Sequence, residues 1–124
     1  MTLPGAAESV GEIRTAVSQL ATDCGFSEQK VEAIRLAVSE AASNAVIHGY
    51  SENPGQITVS AELDDDRVLE VVIADQGRGM LPHRDSDGLG LGVPLMTTLS
   101  DHVEIISATD MTGTEVHLYF RIAD

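Results

Sequence analysis

Val-Leu-Glu-Val-Val-Ile-Ala-Asp-Gln-Gly-Arg-Gly occupies residues 68–79, and its pattern points to the architecture of the whole chain. Val68–Ala74 is apolar nearly throughout, as expected of a strand near the middle of a sheet. The run stops at Asp75, and glycines follow two and four places on, at Gly77 and Gly79. An Asp ending a buried strand puts a carboxylate at the rim of the sheet. The glycines after it let backbone come close to a flat ligand. By themselves these residues fit a tight turn with an exposed Asp equally well.

On the N-terminal side, Ile57, Val59, Ala61 and Leu63 alternate with Thr58, Ser60 and Glu62, the period of a half-buried strand. Asp64-Asp65-Asp66 makes an exposed turn between the two strands. Two helices precede them. Val10, Ile13, Val17 and Leu20 form one apolar stripe from Glu8 to about Ala21. After the Gly25 break, Val31, Ile34, Val38, Ala41 and Ala45 repeat it from a Ser27 cap to about His48, with Gly49 as the stop. On the C-terminal side, Gln76–Gly92 holds five glycines, at 77, 79, 88, 90 and 92. A short helix over Val93–Leu99, a strand over Val103–Ala108, a turn at Asp110–Gly113 and a last strand through Val116, Leu118, Phe120 and Ile122 complete the chain. This order predicts an α+β two-layer sandwich, with helices on one face of a mixed or antiparallel sheet. The whole of 1–124 reads as a single domain, with residues 1–7 a loose arm.

The composition excludes several classes. A chain of 124 residues supports one modest core. Seven Lys+Arg against twenty Asp+Glu give a net charge of −13, so direct nucleic-acid binding is not expected. Basic proteins or cation-neutralised ligands suit this surface better. The longest uncharged run, Gly88–Ser100, is too short and too rich in glycine to span a membrane. The first basic residue is Arg14, so no charged leader precedes an apolar stretch. The one cysteine, Cys24, cannot form an internal disulfide, which points to a reducing, cytoplasmic setting.

Two further stretches carry chemistry. Glu40 and Asn44 are four apart and share one face of the second helix, with His48 a turn further on. Such a pair on an amphipathic helix is most often a solvated edge. Gly88-Leu89-Gly90-Leu91-Gly92 leads into a helix N-terminus, and its free amides make an anion cradle. The spacing is neither the dinucleotide fingerprint nor a P-loop, since no lysine follows the glycines.

In order along the chain, Glu40-x-x-x-Asn44, Asp75-x-Gly77-x-Gly79, Gly88-x-Gly90-x-Gly92 and Gly113-Thr114 resemble the N, G1, G2 and G3 boxes of the GHKL (Bergerat-fold, histidine-kinase-like) ATPases. More narrowly, EAASNAVIHGY, VVIADQGRGM, GLGLGVPLM with SDHVEI, and GTEVHLYF resemble the anti-sigma factor serine/threonine kinases of the RsbW type. The resemblance covers nearly the whole chain. It implies ATP as substrate with Mg²⁺, Glu40 as the catalytic base, and an ATP site drawn from Asn44, His48, Asp75, Gly77, Gly79, Met80, Gly88, Leu89, Gly90, Leu91, Gly92 and Thr114. In that site Asn44 supplies a neutral oxygen to Mg²⁺, which takes its other ligands from phosphates and water. Asp75 accepts the exocyclic amine of adenine and rejects guanine, and Thr114 completes the base edge. Met80 and Leu91 line the base and sugar. Arg14 sits where the family contacts partner proteins. The implied partners are a sigma factor and an anti-sigma-factor antagonist in a partner-switching circuit. A homodimer is also implied, built in part on an N-terminal edge strand that this chain nearly lacks. Between the G1 and G2 boxes stands only Met80–Asp87, shorter than the family's lid. That keeps a non-catalytic ATP- or protein-binding regulatory module as the alternative.

Overall fold

Helix α1 (Ala7–Cys24) forms because Ser9, Ile13, Val17, Ser18 and Ala21 recur at helical spacing and are all buried. It stops at Gly25, whose φ of 103° is a left-handed conformation that glycine adopts without strain. There the Gly25 and Phe26 amides donate to the Thr22 and Ala21 carbonyls at 3.1 and 3.2 Å, closing the helix end. Helix α2 (Glu28–Gly49) begins where Ser27 Oγ accepts the Lys30 amide at 3.1 Å, the expected cap. Gly49 is its last helical residue rather than a stop beyond it. The computed structural model describes residues 1–49, 56–75, 95–107 and 113–122, apart from the side chains at 47–49 and 107.

The strands are β1 (Thr2–Pro4), β2 (Gln56–Leu63), β3 (Val68–Asp75), β4 (His102–Ser107) and β5 (Thr114–Arg121). Residues 95–99 are helical. In the β2–β3 turn, Asp64 Oδ1 accepts the amides of Asp66 at 2.8 Å and Val68 at 2.9 Å. These bonds hold Arg67 at φ 66°, a conformation that side chains seldom adopt.

The sheet order is β1-β2-β3-β5-β4, and every neighbouring pair is antiparallel. Of the two expected arrangements, mixed or antiparallel, the antiparallel one is therefore found. Strands β2 and β3, like β4 and β5, are consecutive and pair directly, and a short connection between paired strands must reverse the chain.

The loose arm expected over residues 1–7 is corrected. Thr2–Pro4 pairs with β2 as an edge strand, in the register Thr2↔Thr58, Leu3↔Ile57, Pro4↔Gln56. Three residues are too few for an alternating pattern to register, and a proline is tolerated at an edge, where its missing N–H faces no neighbour.

Both helices lie on one side of this sheet. They pack on each other, α1 against β2, and α2 against β3 and β5. Between the layers lie Ile13, Ile34, Val38, Ile57, Leu69, Val71, Ile73, Leu118 and Phe120, all essentially inaccessible. Asp101 ties the layers at one end: it accepts the Arg121 amide at 2.7 Å and pairs with Lys30 Nζ, on α2, at 3.0 Å. Burial alone would raise its carboxyl pKa, but these two donors outweigh that and hold it below the ordinary 3.8. Its contribution to stability is thus present above that pH and lost as pH falls through the lower folded value.

Because Leu118 is 0% exposed and Leu63 44%, truncating them separates core from edge. Leu118→Ala is expected to cost about 2–5 kcal/mol in urea unfolding, and Leu63→Ala less than about 1 kcal/mol.

Candidate functional site

Asp75 is the last residue of β3 and Thr114 the first of β5. The register pairs them directly, and both face the helical layer, at 8% and 3% exposure. Residues that lie 39 positions apart in sequence thus sit side by side at one end of the sheet, one an acidic acceptor and the other a hydroxyl donor and acceptor. Their neighbour on the far side of Asp75 is Ile57, which is fully buried, so the rim is half polar and half apolar.

Helix α2 packs on β3 and β5, and its Ala37, Ala41, Ala42 and Ala45 are all buried; small side chains let a helix come close to its neighbours. The same approach buries Asn44 to 7% exposure. Among the described residues, the Asn44 Nδ2 nitrogen has no hydrogen-bond partner. A buried donor without an acceptor costs about 1–3 kcal/mol, and folded proteins satisfy nearly all such groups. The Asn44 amide has the chemistry a nucleotide–cation pair needs: N–H groups for a phosphate oxygen and a carbonyl oxygen for a hard divalent cation. Glu40, one turn earlier on α2, is half-buried.

Glu40 also lines a groove between α1 and α2, with Arg14, Arg35, Leu36, Ser39 and Ser43. Arg14 Nη1 donates to Ser39 Oγ at 3.4 Å, and Ser39 Oγ donates to the Arg35 carbonyl at 2.8 Å. The structure therefore places Arg14 next to the turn of α2 that carries Glu40. His48 lies on α2, but its side chain is outside the described residues. Gly77, Gly79, Met80, Gly88, Leu89, Gly90, Leu91 and Gly92 fall outside them as well.

A family model for the histidine kinase-like ATPase domain matches residues 3–120. The serine-protein kinase RsbW of Bacillus velezensis is 37% identical over 128 residues, 90% of this chain and 79% of the relative. That of Bacillus subtilis strain 168 is 34% identical over the same shares. The chain belongs to the RsbW family of histidine kinase-like ATPase domains. Solved structures agree on the fold. The RsbU and RsbW domains of Rv1364c from Mycobacterium tuberculosis superpose with a TM-score of 0.76 at 22% identity, covering all of this chain and 33% of that one. The histidine kinase domain of the Erythrobacter litoralis EL346 blue-light activated histidine kinase gives 0.65 at 21% identity, over 94% of this chain and 60% of that one.

For this member of the RsbW family, the sequence reading passed over Arg35, Ser39 and Ser43, which line the groove beside Glu40. Their spacing of four, the same that joins Glu40 to Asn44, could have flagged them.

The unsatisfied amide of Asn44 makes a stability prediction. Asn44→Leu, similar in size and without a polar group, is expected to leave ligand-free stability unchanged or raise it by about 1 kcal/mol in urea unfolding. A loss of more than about 1 kcal/mol would show that Asn44 is bonded within the fold.

Proposed function

We propose that this chain is an ATP- and Mg²⁺-dependent protein serine/threonine kinase and anti-sigma factor. It sequesters a sigma factor and phosphorylates a serine of an antagonist protein in a partner-switching circuit. The observation that carries the reading is the buried Nδ2 of Asn44, which has no hydrogen-bond partner among the described residues and lies one helical turn from Glu40. Support also comes from the relatives named serine-protein kinase, two of which match over 90% of the chain.

Asp75 and Thr114 would bind the base edge of ATP. A carboxylate accepts from the amino group of adenine and repels the oxygen that guanine presents in its place. Asn44 would hold Mg²⁺, which when bound offsets phosphate charge that a protein of net charge −13 cannot offset itself. Among the described residues no group of three His, Cys, Asp or Glu side chains could hold a metal ion.

Glu40 would accept the proton of the attacking serine hydroxyl as its oxygen bonds to the terminal phosphorus and ADP leaves. Phosphoryl transfer asks mainly for positioning and charge neutralisation, so one well-placed carboxylate is enough for the proton. The groove beside Glu40 is where the acceptor protein would lie. In that groove Arg14 would meet a carboxylate of the acceptor protein, while Arg35 is already paired with Glu32 at 3.7 Å.

Glu40→Gln is expected to bind ATP with wild-type affinity in a calorimetric titration with Mg²⁺, and to lose phosphotransfer to an antagonist protein by about 10²-fold or more. GTP serves as the control for base selection. Undiminished transfer by the variant would remove Glu40 from the role of base. No wild-type binding at millimolar ATP would overturn the kinase reading and leave a protein-binding regulatory module.

A further inference from the structure

The sheet face turned away from the helices holds a network that the ATP site does not use. His117 on β5 has a carboxylate oxygen at each ring nitrogen: Nδ1 is 2.8 Å from Glu70 Oε2, and Nε2 is 2.9 Å from Glu115 Oε1. Ionised carboxylates only accept, so both contacts are hydrogen bonds only when both ring nitrogens carry protons. A neutral ring has one N–H, and its bare nitrogen would then face a carboxylate lone pair. The arrangement therefore specifies an imidazolium, with 17% of its side chain accessible.

Glu70 lies on β3, so the ring joins two strands. Those strands end, on the opposite face, at the register pair Asp75↔Thr114. Glu115 directly follows Thr114 and stands opposite Ala74. We propose that His117 is a positioning residue: its imidazolium clamps β3 to β5 beside the Asp75–Thr114 pair, so that nucleotide affinity follows the protonation of this ring. The inference rests on the reading of that pair as the adenine-binding edge.

Other titratable and charged groups share this face. Tyr119 on β5 donates its hydroxyl to Glu70 Oε2 at 3.1 Å. On β4, Glu104 is the register partner of His117, and His102 pairs with Glu104 at 3.3 Å and packs against Tyr119 at 5.4 Å between ring centroids. On β2, Glu62 stands opposite Glu70. Arg121 lies on the same face of β5, four residues further on. Glu70 and Glu115 hold the ring, Glu104 and Glu62 stand on the strands beyond, and Arg121 lies further along β5. Partial burial alone would lower the imidazole pKa, but the bonds to Glu70 and Glu115 outweigh it and hold the ring above the ordinary 6.5. The clamp is therefore closed below that pH and opens as pH rises through the higher folded value.

The test is calorimetric titration of Mg²⁺-ATP into wild type, His117→Gln and His117→Lys from about pH 6 to pH 9, across the histidine range. Wild-type affinity is expected to fall about five-fold over this range. His117→Gln should bind with the weak value throughout, and the permanently charged His117→Lys should lose the pH dependence that wild type shows. Titration of the phosphates is common to all three proteins and cancels in the comparison. In wild type alone, nitrogen NMR of the imidazole should find both ring nitrogens protonated at neutral pH. By reciprocity, saturating ATP should raise the ring's pKa further. Parallel pH profiles in wild type and His117→Gln, or a singly protonated ring at neutral pH, would overturn this inference and leave the kinase reading standing. No ATP binding by wild type at any pH would overturn both.

Discussion

The close packing of α2 on β3 and β5 is the contact on which the rest of the molecule depends. Alanines at 37, 41, 42 and 45 are buried on this helix, and small side chains let packed elements come close. Two consequences follow. Ile34 and Val38 on the same helix complete a core with Leu69, Val71, Ile73 and Leu118, and that core gives the domain its stability. On the same helix Asn44 is buried, and its Nδ2 has no hydrogen-bond partner among the described residues. The stretch of α2 that packs closely thus also holds a buried polar group. Such a group gains from a ligand what it lacks in the free protein.

Charge is distributed so that the few cations have structural work. Lys30, the only lysine, is bound to Asp101 at the end of the sandwich. Arg14 is held by Ser39 across the two helices, and Arg35 lies 3.7 Å from Glu32 on its own helix. The α1–α2 groove is one of the places on this acidic molecule where two guanidinium groups stand together. The far sheet face is built in the opposite way, with carboxylates gathered around two imidazoles. The groove thus balances its two guanidinium groups against Glu32 and Glu40, whereas the far face gathers carboxylates around its imidazoles.

The antiparallel sheet holds the Asp75–Thr114 pair on one side and the His117 network on the other. Side chains alternate between faces along each strand, so Thr114 points into the helical layer while Glu115 points away from it. One backbone register thereby fixes both the rim pair and the outer clamp. Slipping β5 by one residue against β3 would exchange the faces and destroy both at once.

The sequence by itself determined the element order, the helix cap at Ser27, the end of α1 at Gly25 and the α+β sandwich. These are local matters, settled by periodicity and by which residues tolerate a given backbone conformation. Ordered motifs in the chain also carried the family. The edge strand Thr2–Pro4 was not legible, because three residues have no period; its partner is β2, more than fifty residues away. Nor could spacing reveal that Asp75 and Thr114 are direct neighbours, that Asn44 Nδ2 is buried without a partner among the described residues, or that His117 lies between Glu70 and Glu115. Each of these depends on which strand lies beside which and how closely a helix approaches. Only the tertiary structure decided them, because register and burial are properties of contacts distant in sequence, which no local pattern encodes.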